Sequence, residues 1–198
     1  MRMEISVDLM GWGWTYDELK KACTEFDDLG FDGCYIGDDL FPHYWEEDPA
    51  SAVPEIEVYD PWTLLPIIAE LTTLIRIGTM VTPGGRRHPA LFAKMTTLVD
   101  IIAGGRRTAG LSASNAPDQR SAVGDLKLNL TERVARLGEE VRILDSLWRN
   151  ERTTFKGTYY SVESLISYPK PVSQPRPELL FGFKSKKYMT RLAAEFAD

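Results

Sequence analysis

The spacing of apolar residues along the chain switches repeatedly between the period of a strand and the period of a helix. Residues 3–8 alternate apolar and polar positions and predict a first strand. Apolar residues at helical spacing then follow Thr15 and Glu18, which stand in the pattern of a capping box. Gly30 comes directly after the last of them, so we predict that the first helix ends there.

The same succession continues through the rest of the sequence. Further strands are predicted at 31–37, 75–81, 108–112 and 179–181, and further helices begin near Asp60, His88, Leu130 and Ser185. A hairpin with Gly157 in its turn and an extended, proline-rich connector at 168–177 precede the last strand. An order in which strands and helices alternate predicts an α/β fold with a parallel sheet.

Two α/β architectures agree with this order, an open doubly wound sheet and a (β/α)8 TIM-type barrel. The first predicted strand is not followed by Gly-x-Gly-x-x-Gly, which weakens the dinucleotide-binding form of the open sheet. A barrel of eight units takes roughly 200–400 residues, whereas this chain of 198 residues supplies five predicted units. We therefore expect a single domain over residues 1–198, an incomplete barrel of about five units with open sheet edges.

Composition narrows the functional classes. The first 70 residues carry 17 acidic and three basic side chains, which argues against nucleic-acid binding. The remaining residues carry 20 basic and 12 acidic side chains, which suits a small anionic ligand or, alternatively, only an uneven solvated surface. Because no apolar run approaches ~20 residues, we predict no membrane span. Cys23 and Cys34 lack the Cys-x-x-Cys spacing, so we expect no metal site and a reducing cytoplasm.

Eight segments, in the same order along the chain, resemble the bacterial luciferase-like family of flavin and deazaflavin oxidoreductases. They lie at 29–40, 75–83, 87–95, 102–107, 147–151, 154–160, 168–172 and 191–198. The pattern is most similar to the branch that uses coenzyme F420, a deazaflavin hydride carrier. The resemblance implies a (β/α)8 barrel that holds its cofactor at the carboxyl ends of the strands, as such barrels generally do. It also implies relatives that continue beyond residue 198, so we expect a fragment, a truncated product or a shortened family member.

Asp38 and Asp39 follow the second predicted strand. In many deazaflavin relatives the matching pair is Asp-His, and the resemblance places that His near the reacting ring of the cofactor. Adjacent residues of an extended backbone face opposite sides, so we expect Asp39 to face the site, contact the cofactor and act as general acid or base. His43 is a second candidate for this catalytic role, and a cap at the strand end is the structural alternative.

The resemblance further implies a bulge at the end of the third strand, often with a non-proline cis peptide bond, that backs the cofactor ring. Met80 and Val81 would be the residues involved here. After the fourth strand, small residues allow a planar ring to approach the backbone. We expect Ala113 to contact the cofactor and Asn115 to hydrogen-bond to the ring or the substrate within the catalytic site. An ordinary buried strand and a polar surface loop are the respective alternatives.

Gly182, Phe183 and Lys184 follow the strand predicted at 179–181 and open the last predicted helix. Backbone N–H groups at a helix N-terminus, together with lysine side chains, can bind an anion. The resemblance places the phosphate of the cofactor near this point. Relatives have Gly-Gly here, and Phe183 replaces the second glycine. A solvated lysine cluster is the alternative interpretation.

The resemblance therefore implies an oxidoreductase that uses coenzyme F420 to transfer a hydride to or from a small organic substrate. An FMN-dependent luciferase-like monooxygenase is the alternative enzyme, because it shares the scaffold. A truncated, non-catalytic flavin-binding or structural protein is a third class, because Asp39, Phe183 and the absent last units depart from the family pattern. Open sheet edges also favour a homodimer.

Overall fold

A computed structural model of the chain describes residues 3–41, 56–113, 120, 123–183 and 186–198. The described elements are β1 (Ser6–Leu9), α1 (Tyr16–Asp28), β2 (Gly33–Ile36), α2 (Pro61–Leu71), β3 (Arg76–Pro83), α3 (Pro89–Ile102), β4 (Arg107–Ser112), α4 (Leu130–Arg149), β5 (Arg152–Lys156), β6 (Ser161–Ile166), β7 (Glu178–Phe181) and α5 (Lys186–Phe196). The strands of the main sheet alternate with helices, as the sequence pattern predicts.

Five strands form one parallel sheet in the order β1-β2-β3-β4-β7, and β5 pairs with β6 in a separate antiparallel hairpin. Each new strand of the sheet lies beside its predecessor, and strands are always added on the same side. A doubly wound sheet reverses this direction at a switch point, whereas a barrel does not. The strand order therefore confirms the predicted barrel-type α/β fold, as five consecutive units, and excludes the open doubly wound alternative.

The sheet buries its outer face against the helices. Successive strand residues point to opposite faces, and the outward positions carry the buried side chains of Cys34, Ile36, Ile77, Ala109, Leu111 and Leu179. These side chains share one hydrophobic core with α1, α2, α3 and α4. Most inward positions carry glycine or polar residues, among them Asp8, Gly78 and Thr108, and Tyr35 and Leu180 lie on the same face.

Helix starts are determined by local capping side chains. Thr15 and Glu18 form the predicted capping box at the start of α1. The Asp60 carboxylate accepts the N–H of Thr63 at 2.8 Å at the start of α2, and His88 caps α3 through Nδ1. Each cap satisfies a backbone N–H that has no partner within the helix. His88 thus stands at a helix start, as predicted.

Buried charged side chains fasten the loops that lead into β3, β4 and β7. Asp27, at the end of α1, accepts hydrogen bonds from the backbone N–H groups of residues 73–75 at 2.7–2.8 Å. Arg106 donates to three carbonyl oxygens at the end of α2 and ahead of β3, at 2.7–3.1 Å. Asp100, at the end of α3, accepts the N–H groups of residues 172–173 at 2.8 and 3.0 Å. We call Asp27, Arg106 and Asp100 the amino-edge clamps.

The first strand starts later than its apolar alternation predicts, at Ser6 instead of residue 3. Residues 3–5 are exposed, and the backbone N–H of Ile5 donates to the Asp32 carboxylate at 2.8 Å instead of entering the strand ladder. Pairing with β2 begins at Ser6, opposite Gly33. The predicted hairpin is confirmed, with Gly157 in the connection between β5 and β6.

Candidate active site

The carboxyl-terminal edge of the sheet gathers most of the residues that the sequence analysis selected. Asp39, Met80, Val81, Ala113, Gly182 and Phe183 lie at or just beyond the ends of β2, β3, β4 and β7. His43, Asn115 and Lys184 lie outside the described residues. The functional role of each of these residues stays a prediction.

Asp38 is fully buried and is held by a network of donors. Its Oδ2 atom accepts hydrogen bonds from Thr82 Oγ1 at 2.8 Å and from Arg87 Nη1 at 2.6 Å. Arg86 donates to the backbone carbonyl and the carboxylate of Asp38. Arg87 also pairs with Asp60, the capping residue of α2. Because both of its carboxylate oxygens accept hydrogen bonds, Asp38 fastens the loop after β3 to the end of β2.

The same network continues into the core. The indole Nε1 of Trp62 donates to Thr82 Oγ1 at 2.8 Å, and both side chains are buried. Burial acts to lower the pKa of Arg87, but the charges of its two carboxylate partners outweigh burial, so this pKa stands above its ordinary value. The guanidinium of Arg87 is therefore a permanent cation of the loop after β3.

Asp39 takes the opposite direction from Asp38 and lies near Asp8. Val7 and Leu9 of β1 pack towards the helices, so Asp8 between them lies on the inner face of the sheet. Partial burial and the neighbouring charge of Asp39 together raise the pKa of Asp8 to about 6. Two carboxylates thus lie close together at the ends of β1 and β2.

The end of β3 carries a bulge. The register with β4 shifts between Thr79 and Thr82, and a cis peptide bond joins Met80 to Val81, the two residues that the resemblance indicated. Met80 is 40% exposed. The side chain of Val81 packs over Gly110 and Gly182. A Cβ atom added to Gly110 would lie 3.0 Å from Val81 Cγ1, and one added to Gly182 would lie 2.9 Å from it. The structure therefore brings the predicted residues Val81 and Gly182 into contact, and only glycine fits opposite Val81.

Ala113 and Phe183 lie at the ends of β4 and β7. Ala113 is buried, and its carbonyl oxygen accepts a hydrogen bond from Arg133 Nε at 2.9 Å. Phe183 is 42% exposed, directly after Gly182, whose N–H donates to the Leu111 carbonyl at 2.8 Å. The Gly182 N–H thus belongs to the sheet ladder, which leaves the predicted phosphate site to residues beyond it.

Glu140 and Arg136 of α4 hold the turn that follows β3. The N–H of Gly85 donates to Glu140 Oε2 at 2.8 Å, and Arg136 Nη2 donates to the carbonyl of Gly84 at 3.0 Å. Gly85 has a φ angle of 82°, and the Arg136 guanidinium occupies the place of a Cβ, so glycine is required there. Arg136 also pairs with Asp125 at 2.8 Å. The turn after β3 is thereby tied to α4 and to the segment before it.

Burial raises the pKa of the Glu140 carboxyl to about 7, although the Gly85 N–H and the neighbouring cations Arg136 and Arg87 act to lower it. The hydrogen-bonded oxygen of Glu140 therefore changes charge near neutrality. Since this oxygen holds the turn that carries Arg86 and Arg87, the fastening of that turn depends on pH.

Asp8, Glu140 and the arginines after β3 were not selected from the sequence. The alternation of Val7, Asp8 and Leu9 already assigns Asp8 to the inner face, so this residue could have been found. The run Gly-Gly-Arg-Arg at 84–87, directly after a predicted strand, also indicates a special turn. Glu140 carries no such signal, because its partner Gly85 lies 55 residues away in sequence.

Within the described residues, no group of three or more His, Cys, Asp or Glu side chains could hold a metal ion. None of the helices in the described part of the chain is long and apolar enough to cross a membrane.

The fold and the site define a barrel-type α/β protein whose carboxylates and arginines gather at the carboxyl ends of its strands. The chain belongs to the luciferase-like monooxygenase family, whose family model matches residues 4–198. This match confirms the family that the eight sequence segments indicated.

Similar proteins include F420-dependent enzymes and a monooxygenase solved in complex with FMN. The F420-dependent glucose-6-phosphate dehydrogenase of Kineococcus radiotolerans is 33% identical over 161 residues, which cover 81% of this chain and 45% of that protein. A solved F420-dependent secondary alcohol dehydrogenase, in complex with an F420-acetone adduct, has a TM-score of 0.86 at 20% identity and covers 100% of this chain and 57% of that one. The oxygenating constituent of 3,6-diketocamphane monooxygenase from Pseudomonas putida, in complex with FMN, has a TM-score of 0.75 at 23% identity, covering 98% and 56%. The chain spans about half the length of the curated relatives it matches.

Proposed function

We propose that the protein is an oxidoreductase that uses coenzyme F420 to transfer a hydride to or from a small organic substrate. The observation that carries this proposal is the set of curated relatives named F420-dependent glucose-6-phosphate dehydrogenase, at up to 33% identity in the examples cited. The geometry of the carboxyl edge supports this proposal. The carboxylates of Asp8 and Asp39 and the bulged end of β3 lie at the carboxyl ends of the strands, where barrel enzymes hold their ligands.

The residues at the end of β3 fit a planar ring. Gly110 and Gly182 have no side chains, so Val81 packs over them and presents a low apolar surface beside the half-exposed Met80. These residues would hold the ring of F420, which supplies the hydride-carrying carbon when bound. Phe183 would cover the ring at the end of β7, and Ala113 would allow close approach of the backbone at the end of β4.

Asp39 would move the proton that accompanies hydride transfer. Asp38 binds Arg86, Arg87 and Thr82 on the buried side of the strand end, whereas Asp39 lies beside Asp8 on the inner side. Asp39 would accept a proton from a substrate hydroxyl or return one to a carbonyl oxygen. The neighbouring Asp8, whose pKa is raised to about 6, would pass that proton to solvent. His43, Asn115 and Lys184 remain candidates for additional contacts to the substrate and to the cofactor phosphate.

The test is a titration of the purified chain with F420 and with FMN, followed by turnover with glucose 6-phosphate and with a secondary alcohol. We expect micromolar binding of F420 and weaker binding of FMN. Asp39→Asn should keep F420 binding and lower turnover about 10²–10⁴-fold. Asp28→Asn, an exposed carboxylate of α1, is the matched control and should keep both.

Three other outcomes would contradict the proposal. Tight binding of FMN with oxygen-dependent turnover would assign the chain to the FMN-dependent monooxygenases of the family. Binding of a flavin or F420 without any turnover would support the non-catalytic flavin-binding alternative, and binding of neither would remove the proposed function from this chain.

We also propose a homodimer in a reducing cytoplasm. Exposed apolar side chains cluster on the outer faces of α2 and α3, at Ile67, Leu71, Leu91 and Leu98, and such patches commonly mark interfaces. The two buried thiols, Cys23 and Cys34, are free although their Sγ atoms lie 3.6 Å apart. Light scattering should give twice the chain mass. Leu98→Glu should shift this mass to that of the monomer, whereas Leu29→Glu, at the exposed residue directly after α1, should not.

A further inference from the structure

The two cysteines of the chain lie side by side, although they belong to different elements. Cys23 lies on α1 and Cys34 on β2, and their Sγ atoms are 3.6 Å apart, in hydrogen-bonding contact. Both thiols are free, and both residues are buried in the core between the sheet and the helices. The proposed hydride transfer uses neither of them, so this pair of nucleophilic side chains needs an explanation of its own.

A small movement would join the two sulfur atoms. A disulfide bond is about 2.05 Å long, so the Sγ atoms would have to approach each other by about 1.5 Å. Cys34 is fixed, because β2 is paired on both sides, with β1 and with β3. Helix α1 is held less firmly, because it buries three residues, Leu19, Cys23 and Asp27, whereas α3 buries seven. Helix α1 is therefore the element that would move towards the strand.

The two thiols differ in acidity. Their shared hydrogen bond lowers the pKa of the Cys23 thiol, whereas that bond and burial raise the pKa of the Cys34 thiol. Cys23 therefore supplies the thiolate, which is the nucleophilic form of a cysteine, and Cys34 stays protonated beside it.

Hydrogen peroxide is an oxidant that such a pair can reduce. The Cys23 thiolate attacks one peroxide oxygen, the O–O bond breaks, and Cys23 becomes a sulfenic acid while hydroxide leaves and takes up the proton that Cys23 released. The Cys34 sulfur then attacks the Cys23 sulfur, forms the S–S bond and displaces the sulfenic oxygen, which leaves as water with the Cys34 proton. In sum, two thiols lose two electrons and one peroxide becomes two water molecules.

Both sulfur atoms are buried, so the oxidant reaches them when an element of the fold opens. Elements that bury few side chains open locally before the whole protein unfolds. Helix α1 is such an element, and it adjoins β1, which stands at the end of the described strand order. The capping box of Thr15 and Glu18 fixes the start of α1 and opposes its opening. The stability of α1 should therefore set the rate of oxidation.

We propose that Cys23 and Cys34 form a redox switch: hydrogen peroxide joins them in a disulfide when α1 opens, and the disulfide then fastens α1 to β2. Asp27 lies one turn after Cys23 on the same face of α1 and holds the backbone N–H groups of residues 73–75. The disulfide would therefore also secure this amino-edge clamp. The inference does not depend on the proposed hydride transfer.

Mild treatment of the purified chain with hydrogen peroxide tests the switch. We expect both thiols to become unreactive to a maleimide added after unfolding, and their two peptides to be recovered as one crosslinked species. The midpoint of thermal unfolding should rise by roughly 5–10 °C, because the crosslink restricts the unfolded chain. Dithiothreitol should reverse each change. Cys34→Ser is the control: its reduced form shows that the variant folds, and its midpoint should not respond to peroxide.

A matched pair of variants tests the part played by α1. Thr15→Ala removes the capping box of α1, and Asn129→Ala removes the equivalent box of α4. Because loss of its cap makes α1 open more often, Thr15→Ala should speed disulfide formation roughly fivefold. Asn129→Ala weakens a different helix and should be oxidised at the wild-type rate.

Three results would overturn the inference. The first is a wild-type chain whose two thiols remain reactive after peroxide treatment, and the second is a disulfide between two chains, seen as a dimer on a non-reducing gel. The third is an oxidation rate that is the same in Thr15→Ala and in the wild type, because α1 would then not control the access of peroxide. Failure to bind F420 would contradict the proposed function and leave these three measurements unchanged.

Discussion

The two edges of the parallel sheet use their charged side chains in different ways. At the amino edge, the clamps Asp27, Arg106 and Asp100 bind backbone groups of the loops that enter the strands. At the carboxyl edge, charged side chains also bind backbone groups, as Glu140 does with Gly85, but several of them pair with one another around a cleft, as Asp38 does with Arg87. The amino-edge clamps therefore use charge to hold the main chain, whereas the carboxyl edge in addition keeps charge on side chains that line a cleft.

This difference separates stability from function within one sheet. A carboxylate that accepts several backbone N–H groups cannot leave them without exposing buried donors. Ion pairs beside a cleft, in contrast, can share their cations with an arriving anion. Barrel enzymes generally show this division between their two ends, and the following substitutions test whether it holds here.

The largest effect is expected at an amino-edge clamp. Asp27→Ala should lower the free energy of unfolding by about 3–5 kcal/mol, because three backbone N–H groups, including that of the buried Ile75, lose their charged acceptor. Urea denaturation followed by tryptophan fluorescence measures this, with the exposed neighbour Asp28→Ala as a control that should change little. If both variants were equally stable, the amino edge would not be the stabilising end.

A smaller, pH-dependent effect is expected at Glu140. Burial raises the pKa of Glu140 in the folded chain to about 7, so the folded state binds the proton more tightly than the unfolded state. The contribution of protonated Glu140 to the stability of the folded state is therefore present at low pH and is lost as pH rises through 7. Between pH 5 and pH 8 the wild type should lose roughly 2 kcal/mol that Glu140→Gln does not lose. Parallel pH profiles of the two proteins would refute this assignment.

The smallest effect is expected at Arg107, a charged residue at the amino edge that does not act as a clamp. Arg107 is fully buried against Trp148, and no described residue accepts a hydrogen bond from its guanidinium, whose pKa burial lowers to about 10. Arg107→Met should raise the free energy of unfolding by about 1 kcal/mol. Arg106→Met, which removes the clamp next to it, should lower it. Thermal unfolding of the two variants shows whether hydrogen-bond partners, and not burial alone, decide if a substitution stabilises or destabilises the protein. A loss of stability in both variants would contradict this explanation.

Local patterns predicted the parts of the fold that depend on near neighbours in sequence. The caps at Thr15, Asp60 and His88 act within three residues, and the element order follows from apolar spacing, so both were correct. The alternation at Asp38 and Asp39 also assigned Asp38 away from the open side. Hydrogen bonds between residues far apart in sequence could not be predicted. The bond between Gly85 and Glu140 depends on how α4 packs, and no local sequence pattern encodes that packing.

The start of β1 was predicted wrongly for a related reason. Apolar alternation extends back to Met3, but a strand ends where its partner ends, and β2 offers only four residues for pairing. The position of the bulge at Met80 and Val81 came from family resemblance. Nothing in the local sequence distinguishes this stretch from an ordinary buried strand.

The strand order also has a consequence for how the chain is made. Because β2, β3 and β4 each pair with the strand just before them, a chain that emerges from the ribosome can join each unit to a finished neighbour. The last pairing differs, since Thr108 of β4 lies opposite Glu178, with α4 and the whole hairpin between them. This long loop closure slows folding. We therefore expect nascent chains that end before β7 to retain protease-sensitive edges, and protection to appear only when β7 and its Asp100 contacts have been synthesised.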